Sequence, residues 1–306
     1  MELFTILLSR GTEHELESLS QLLKQEMNDL HTQTDGVDLE TVKLNHVTGI
    51  TCLGRLPGFS LTSSGHDVVN RAAKALAEYI LAVKELPLLR ELIKKEKYVD
   101  PADVQKMESY CLQLLNGTED HIQYDARNRR LTKIRKVLQQ YLEEHTQLHI
   151  DGFITFRLES YMSELREVVA YARDEYVLER QYQEFINLLK YFVYIQETKI
   201  PLAHLVHKGG HEFTLFNEQW QPLESAQVMD GMVVEMIDCD MEMEDMIVST
   251  LIHVSPGHIV IHTREPDSQV IKTIEQIFEA RVHVCDYCSF CSPLLIEGWT
   301  SQDQCP

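Results

Sequence analysis

From Gly152 the chain runs to Pro201 without another glycine or proline, so neither of the usual helix breakers interrupts it. Within it Leu158, Tyr161, Leu165, Val168, Ala172 and Tyr176 recur at steps of three and four, the spacing that lines up side chains on one face of an α-helix. Unbroken, a helix across residues 151–196 would extend roughly 65 to 70 Å, beyond the ordinary globular length. One or two long helices are therefore expected, with a packing partner or an internal bend. Glu159, Glu164, Glu167, Asp174, Glu175, Glu179 and Glu184 run along the same block, but no histidine occurs between Asp151 and Ile200. The Glu-x-x-His pairs of a di-iron bundle are thus missing. These acids read as a polar helix face paired with Arg157, Arg166, Arg173 and Arg180, and Tyr161, Tyr171, Tyr176, Tyr182 and Tyr191 as packing residues with a hydroxyl at the rim.

On either side of this block the pattern is mixed, which makes the expected fold α+β: a small N-terminal α/β unit over 1–60, a helical domain over 61–200 and a C-terminal α/β domain over 201–306. The first part reads as a strand at Leu3 to Leu8, a helix from Thr12 to Leu30, and a hairpin whose strands Val42 to Val47 and Ile50 to Gly54 flank a Thr48-Gly49 turn. Ser63, Ser64 and Asp67 precede a 3.6-period stripe from Val68 to Ile80, announcing a helix that Pro87 should end or bend. Asp100 before Pro101 places a capping residue ahead of one preset for the first helical turn, and that helix should reach Leu115. After Pro201 short extended segments at Pro201 to Val206, Glu212 to Phe216 and Val233 to Ile237 suggest an antiparallel insert. Beyond a helix at Met243 to His253, a strand at His258 to Thr263, a helix at Asp267 to Phe278 and a strand at Arg281 to Cys285 make a parallel βαβ unit. No Gly-rich loop follows Thr263, so a dinucleotide or P-loop site lacks its phosphate cradle.

Charge narrows the partners. Lys and Arg total 28 against 48 Asp and Glu, a net charge of −20, and such a surface repels nucleic-acid backbones and anionic membranes. Arg127, Arg129, Arg130, Lys133, Arg135 and Lys136 make six of ten consecutive residues basic; they read first as a solvated helix face paired with nearby acids, and otherwise as a docking surface for an acidic partner. The opening MELFTILLSR has neither a basic n-region nor a cleavage site, and no run of about 18 apolar residues occurs anywhere. A soluble, cytoplasmic protein without membrane insertion is the expectation.

Of seven cysteines, Cys52, Cys111 and Cys239 stand alone, whereas Cys285, Cys288 and Cys291 form C-x2-C-x2-C directly after the last expected strand. In a reducing compartment such a cluster points to metal or redox chemistry, and soft sulfur ligands suit zinc or an iron-sulfur cluster. The motif lacks a local fourth ligand: a ferredoxin-type run would place it at Leu295. Cys305 is the first candidate if the tail folds back, with His283 and Cys239 behind it. Three clustered cysteines can equally be a redox pair and a bystander, or simply pack at a strand end. His204, His207 and His211 offer a second spacing, but on a strand and turn their directions diverge. The acids around Cys239, from Asp238 to Asp245, lack the glycine and terminal glutamate of a calcium loop.

The segments GFITFRL, YARDEYVLERQYQEFINLLKYFV and YIQ resemble the central part of YtxC-like proteins of endospore-forming bacteria, and the likeness continues through HIVIHTREPDSQVIKTIEQIFEARVHVCDYCSFC. It covers the second half of the chain well and the first half only in general layout. The resemblance implies an intracellular bacterial protein associated with sporulation and brings no reaction, substrate or catalytic residue with it. The leading expectation is a non-enzymatic protein acting through a protein partner. The competing one is a metal- or thiol-dependent redox protein using the C-terminal cysteines. Nucleic-acid regulation through Arg127 to Lys136 comes last because of the overall charge.

Overall fold

The computed structural model describes residues 1–9, 12–31, 36–44, 47–56, 59–96, 100–117, 120–210, 212–223, 243–285 and 288–294. The chain divides into two compact units, Met1–Leu178 and Glu179–Pro306, each with its own sheet, which makes the fold α+β.

In the first unit β1 (Glu2–Ser9) leads into α1 (Glu13–His31) and a hairpin of β2 (Val37–Leu44) and β3 (Val47–Gly54). The expected turn at Thr48-Gly49 is corrected by the structure. Both residues lie inside β3, opposite Lys43 and Val42, and the connection falls between Leu44 and Val47. Gly49 is needed in the strand for space, because a Cβ there would stand 2.3 Å from the carbonyl oxygen of Ile6 on β1. Helix α2 (Leu61–Tyr79) begins earlier than Ser63, with Ser60 at its N-cap. It passes through a π-helical turn (Ile80–Lys84) into α3 (Glu85–Lys95). Pro87 therefore does not end the helix: it stands in the first turn of α3, where a missing N–H is tolerated, next to a turn whose hydrogen-bond register has already changed. Asp100 caps α4 (Pro101–Asn116) by accepting from the Ala102 N–H at 2.9 Å, as expected from Asp100-Pro101.

After α5 (Asp120–Glu144), the three-residue β4 (Gln147–His149) pairs parallel with β1 and completes a sheet of order β2-β3-β1-β4. The glycine-free block follows as α6 (Ile150–Arg157) and the 37-residue α7 (Glu159–Ile195), separated at Leu158. The stripe read from sequence is the buried one except at Val168, which is only partly buried while its neighbour Val169 takes the core position: Leu158, Tyr161, Leu165, Ala172 and Tyr176 join Phe4, Ile6, Leu76 and Leu138 in one core. Five of the six basic residues in the run on α5 are paired within the unit. Arg127 pairs with Glu78, Arg129 and Lys133 with Glu164, and Arg135 with Asn70. Arg130 is fully buried and pairs with Glu85, whose other contact is the Tyr161 hydroxyl at 2.9 Å.

The second unit takes the C-terminal part of α7 and adds β5 (Ile200–His207), β6 (Phe213–Asn217), α8 (Met243–Val254), β7 (Pro256–Thr263), α9 (Gln269–Phe278), a 3-10 turn, β8 (Val282–Val284) and α10 (Cys291–Leu294). The expected βαβ is present, with β7 and β8 parallel. The proposed insert is corrected: β5 pairs antiparallel with β6 but also parallel with β7, so the two form one sheet with the βαβ strands in the order β6-β5-β7-β8. Residues 233–237 lie outside the described residues. Side chains alternate across these strands. Ala203, Leu205, Ile259 and Ile261 pack with Ile186, Leu251, Ile271, Ile274 and Phe278 in the core, which leaves His204, Val206, Val260 and His262 on the opposite face. No helix among the described residues is long and apolar enough to cross a membrane.

Candidate metal centre

That opposite face is where the cysteines arrive. The chain leaves β8 with the Cys285 N–H still bonded to the Ile261 carbonyl at 2.8 Å, and the sulfurs of Cys285, Cys288 and Cys291 then converge on His262. The four ligand atoms all lie within 4.8 Å of one another, and the Cys288 sulfur is 3.8 Å from His262 Nδ1. Val206 and Cys291 are buried beneath Cys285, Cys288, Phe216 and Trp220 in a small cluster of their own. Cys285, Cys288 and Cys291 are thus brought together as the sequence suggested, and the fourth corner is taken by His262, a residue not singled out from sequence. Cys305 and Cys239 lie outside the described residues. His283 is exposed on β8 and outside the group.

Local backbone favours thiolates here. The Cys288 N–H donates to the Cys291 sulfur at 3.3 Å, and the Cys291 N–H to the Cys288 sulfur at 3.4 Å. Burial opposes ionisation of Cys288, but bonds from the Cys291 and Phe290 backbones and from the Cys291 and Cys285 side chains prevail and lower its pKa. Cys291 goes the other way, raised to about 11 by burial and by its neighbour Cys288. Burial, and then the nearby His204, lower His262 to about 4, so its imidazole is neutral near pH 7 and keeps a lone pair.

His204 supports that ring. Its Nδ1 lies 3.1 Å from His262 Nε2. A neutral His262 that donates from Nε2 to His204 leaves its lone pair on Nδ1, the atom turned towards Cys288. His204 in turn stacks on Trp220, with centroids 4.2 Å apart and planes 13° apart, and Trp220 stacks on Phe290 at 5.2 Å. Trp220 has φ of 58°, an outlier for so large a residue. Its turn is held by Asn217, whose side-chain oxygen accepts from the Gln219 and Gln221 N–H groups.

Of the three histidines expected to diverge, the two described ones, His204 and His207, do so. His207 is buried, bonded to Thr263 Oγ1 at 2.8 Å and to the Gly210 carbonyl at 3.1 Å, and stacked on Phe213, apart from His204. His211 lies outside the described residues, as do Asp238 to Glu242.

Residues 70–283 match the profile of the YtxC-like family. The chain is also similar to a Bacillus subtilis (strain 168) protein described as "Uncharacterized protein YtxC", 29% identical over 212 residues that cover 68% of this chain and 74% of that one. No solved structure matches. The profile takes in β5, β7 and most of β8, with His204 and His262, and stops two residues short of Cys285. With a match across most of its length, the chain belongs to the YtxC-like family.

Proposed function

We propose that the second unit binds one zinc ion through His262, Cys285, Cys288 and Cys291, and that the protein acts through protein contacts rather than catalysis, in the cytoplasm and in the sporulation setting that its family resemblance implies. The observation that carries the metal reading is the convergence of three sulfurs and one imidazole nitrogen within 4.8 Å of one another. Around tetrahedral zinc, sulfur ligands are separated by about 3.8 Å, so a modest contraction completes the site. An iron-sulfur cluster needs its ligands spread around several iron atoms, and this group is too tight for that, which favours a single ion over a cluster. Four protein ligands leave no open position, the pattern of structural rather than catalytic zinc. The described cysteines are all unbridged, which suits a reducing compartment.

The test is metal and acid-labile sulfide analysis of protein purified without oxygen, beside a Cys285, Cys288 and Cys291 triple Ser variant and a His262→Ala variant. Near-stoichiometric zinc that is lost in the triple variant and weakened in His262→Ala supports the reading. Iron with sulfide, or no metal in the unmodified protein, overturns it and passes the cysteines to redox chemistry.

A further inference from the structure

The part of α7 in the second unit carries two apolar faces, and its own core uses one of them. Ile186 and Val193 are buried there, with Tyr182 and Leu189 packed beside them. Phe185, Leu188, Phe192 and Ile195 follow the three-four-three spacing of a helix-packing seam, yet they and the neighbouring Tyr191 and Tyr194 stay between 43% and 80% exposed. The four seam residues and the adjoining Tyr191 leave an uncovered patch on the order of 500 to 600 Å², at the upper end of what ordinary monomers expose.

We infer that this face is covered by the same face of a second copy of the chain, related by a two-fold axis, with Phe185, Leu188, Phe192 and Ile195 forming the seam. Two arguments select this partner. The first is area: doubled across a two-fold axis, the patch amounts to roughly 1,000 to 1,200 Å², which reaches the lower end of specific interfaces. The second is charge. The chain carries −20, but the only charged residue from Phe185 to Ile195 is Lys190, which pairs with Glu279 at 2.8 Å. Glu184, one turn before Leu188 on the same row, is paired with Arg180 at 3.0 Å, so two copies meet here without opposing unpaired charges, and a two-fold interface sets apolar residues against apolar residues. The inference supplies the partner for the protein-contact half of the proposed function and does not depend on the metal.

Sedimentation velocity of the full chain over a hundredfold concentration range tests it, with Leu188→Glu and Phe192→Glu as two separate variants. Both side chains are already solvent-exposed, so helical circular dichroism should be retained, and should one variant lose it the other decides. The expected result is a monomer–dimer equilibrium weakened at least tenfold by the substitutions. Added salt should tighten it, because salt screens the repulsion between two acidic molecules. A protein that is monomeric throughout, or a dimer that both folded variants leave unchanged, overturns the inference. Zinc is assayed in the same samples: a metal-free dimer would remove the metal reading and leave this one standing.

Discussion

His204 contributes no ligand atom to the four-residue group, yet the geometry gives it control over one. With His262 Nε2–H donating across their 3.1 Å contact, His204 holds the tautomer whose free lone pair is on Nδ1, 3.8 Å from the Cys288 sulfur. Groups in this supporting position typically change metal affinity about 10- to 100-fold. His204→Ala should therefore bind one zinc with affinity lowered by about that factor, measured by competition with a chromophoric chelator, whereas loss of His262 removes a ligand outright. Unchanged affinity in His204→Ala would reduce His204 to a packing residue under Trp220. The three cysteines were legible because they are neighbours in sequence. His262 was not, since its place depends on β5, β7 and β8 lying side by side, a non-local fact. The one local clue was alternation: in HIVIH the isoleucines take one face and the histidines the other, and a histidine turned away from the core invites a search for what covers it.

At the level of elements, local chemistry was readable where it was self-contained. Asp100-Pro101 marked the start of α4 because cap and first turn are set within three residues. The βαβ of β7, α9 and β8 showed through its change of period. Elements defined by what they pair with were harder to read: β4 has three residues and exists only because β1 offers an edge, and β5 looked like part of an insert because its hairpin partner is adjacent in sequence while its parallel partner is not. Gly49 shows the same limit, since beside Thr48 it resembles a turn glycine, yet its smallness serves the close approach of β1. Gly49→Ala would place a Cβ 2.3 Å from the Ile6 oxygen and 2.9 Å from Leu7 Cδ2, forcing β1 and β3 apart. A loss of about 1 to 3 kcal/mol is expected, read as a lower urea midpoint with an unchanged slope. A neutral result would mean that the strands separate more freely than this packing implies.

For the whole molecule, two separate cores predict that unfolding is not all-or-none. One core runs from Phe4 to Tyr176 and the other from Ile186 to Phe278, and all four ligand candidates belong to the second unit. Trp220, the tryptophan among the described residues, also belongs to it, and the first unit's sequence contains no tryptophan, so tryptophan fluorescence follows that unit, while far-ultraviolet circular dichroism also follows the helices α1 to α6 of the first. A ligand that binds only the folded form of a unit stabilises that unit by about 4 kcal/mol when present at a thousand times its Kd. Stripping zinc with a chelator should then lower the midpoint seen by fluorescence and leave in place a later circular-dichroism phase that belongs to the first unit. Re-adding zinc should restore the fluorescence midpoint. The discriminating case is α7, which contributes to both cores. If the continuous helix transmits stability, both probes shift together on chelation, and the two units behave as one thermodynamic body. If its turns near Leu178 fray independently, only fluorescence moves, the expected outcome, because between Tyr176 and Ile186 the helix is held to the two cores only by the partly buried Val177 and Tyr182.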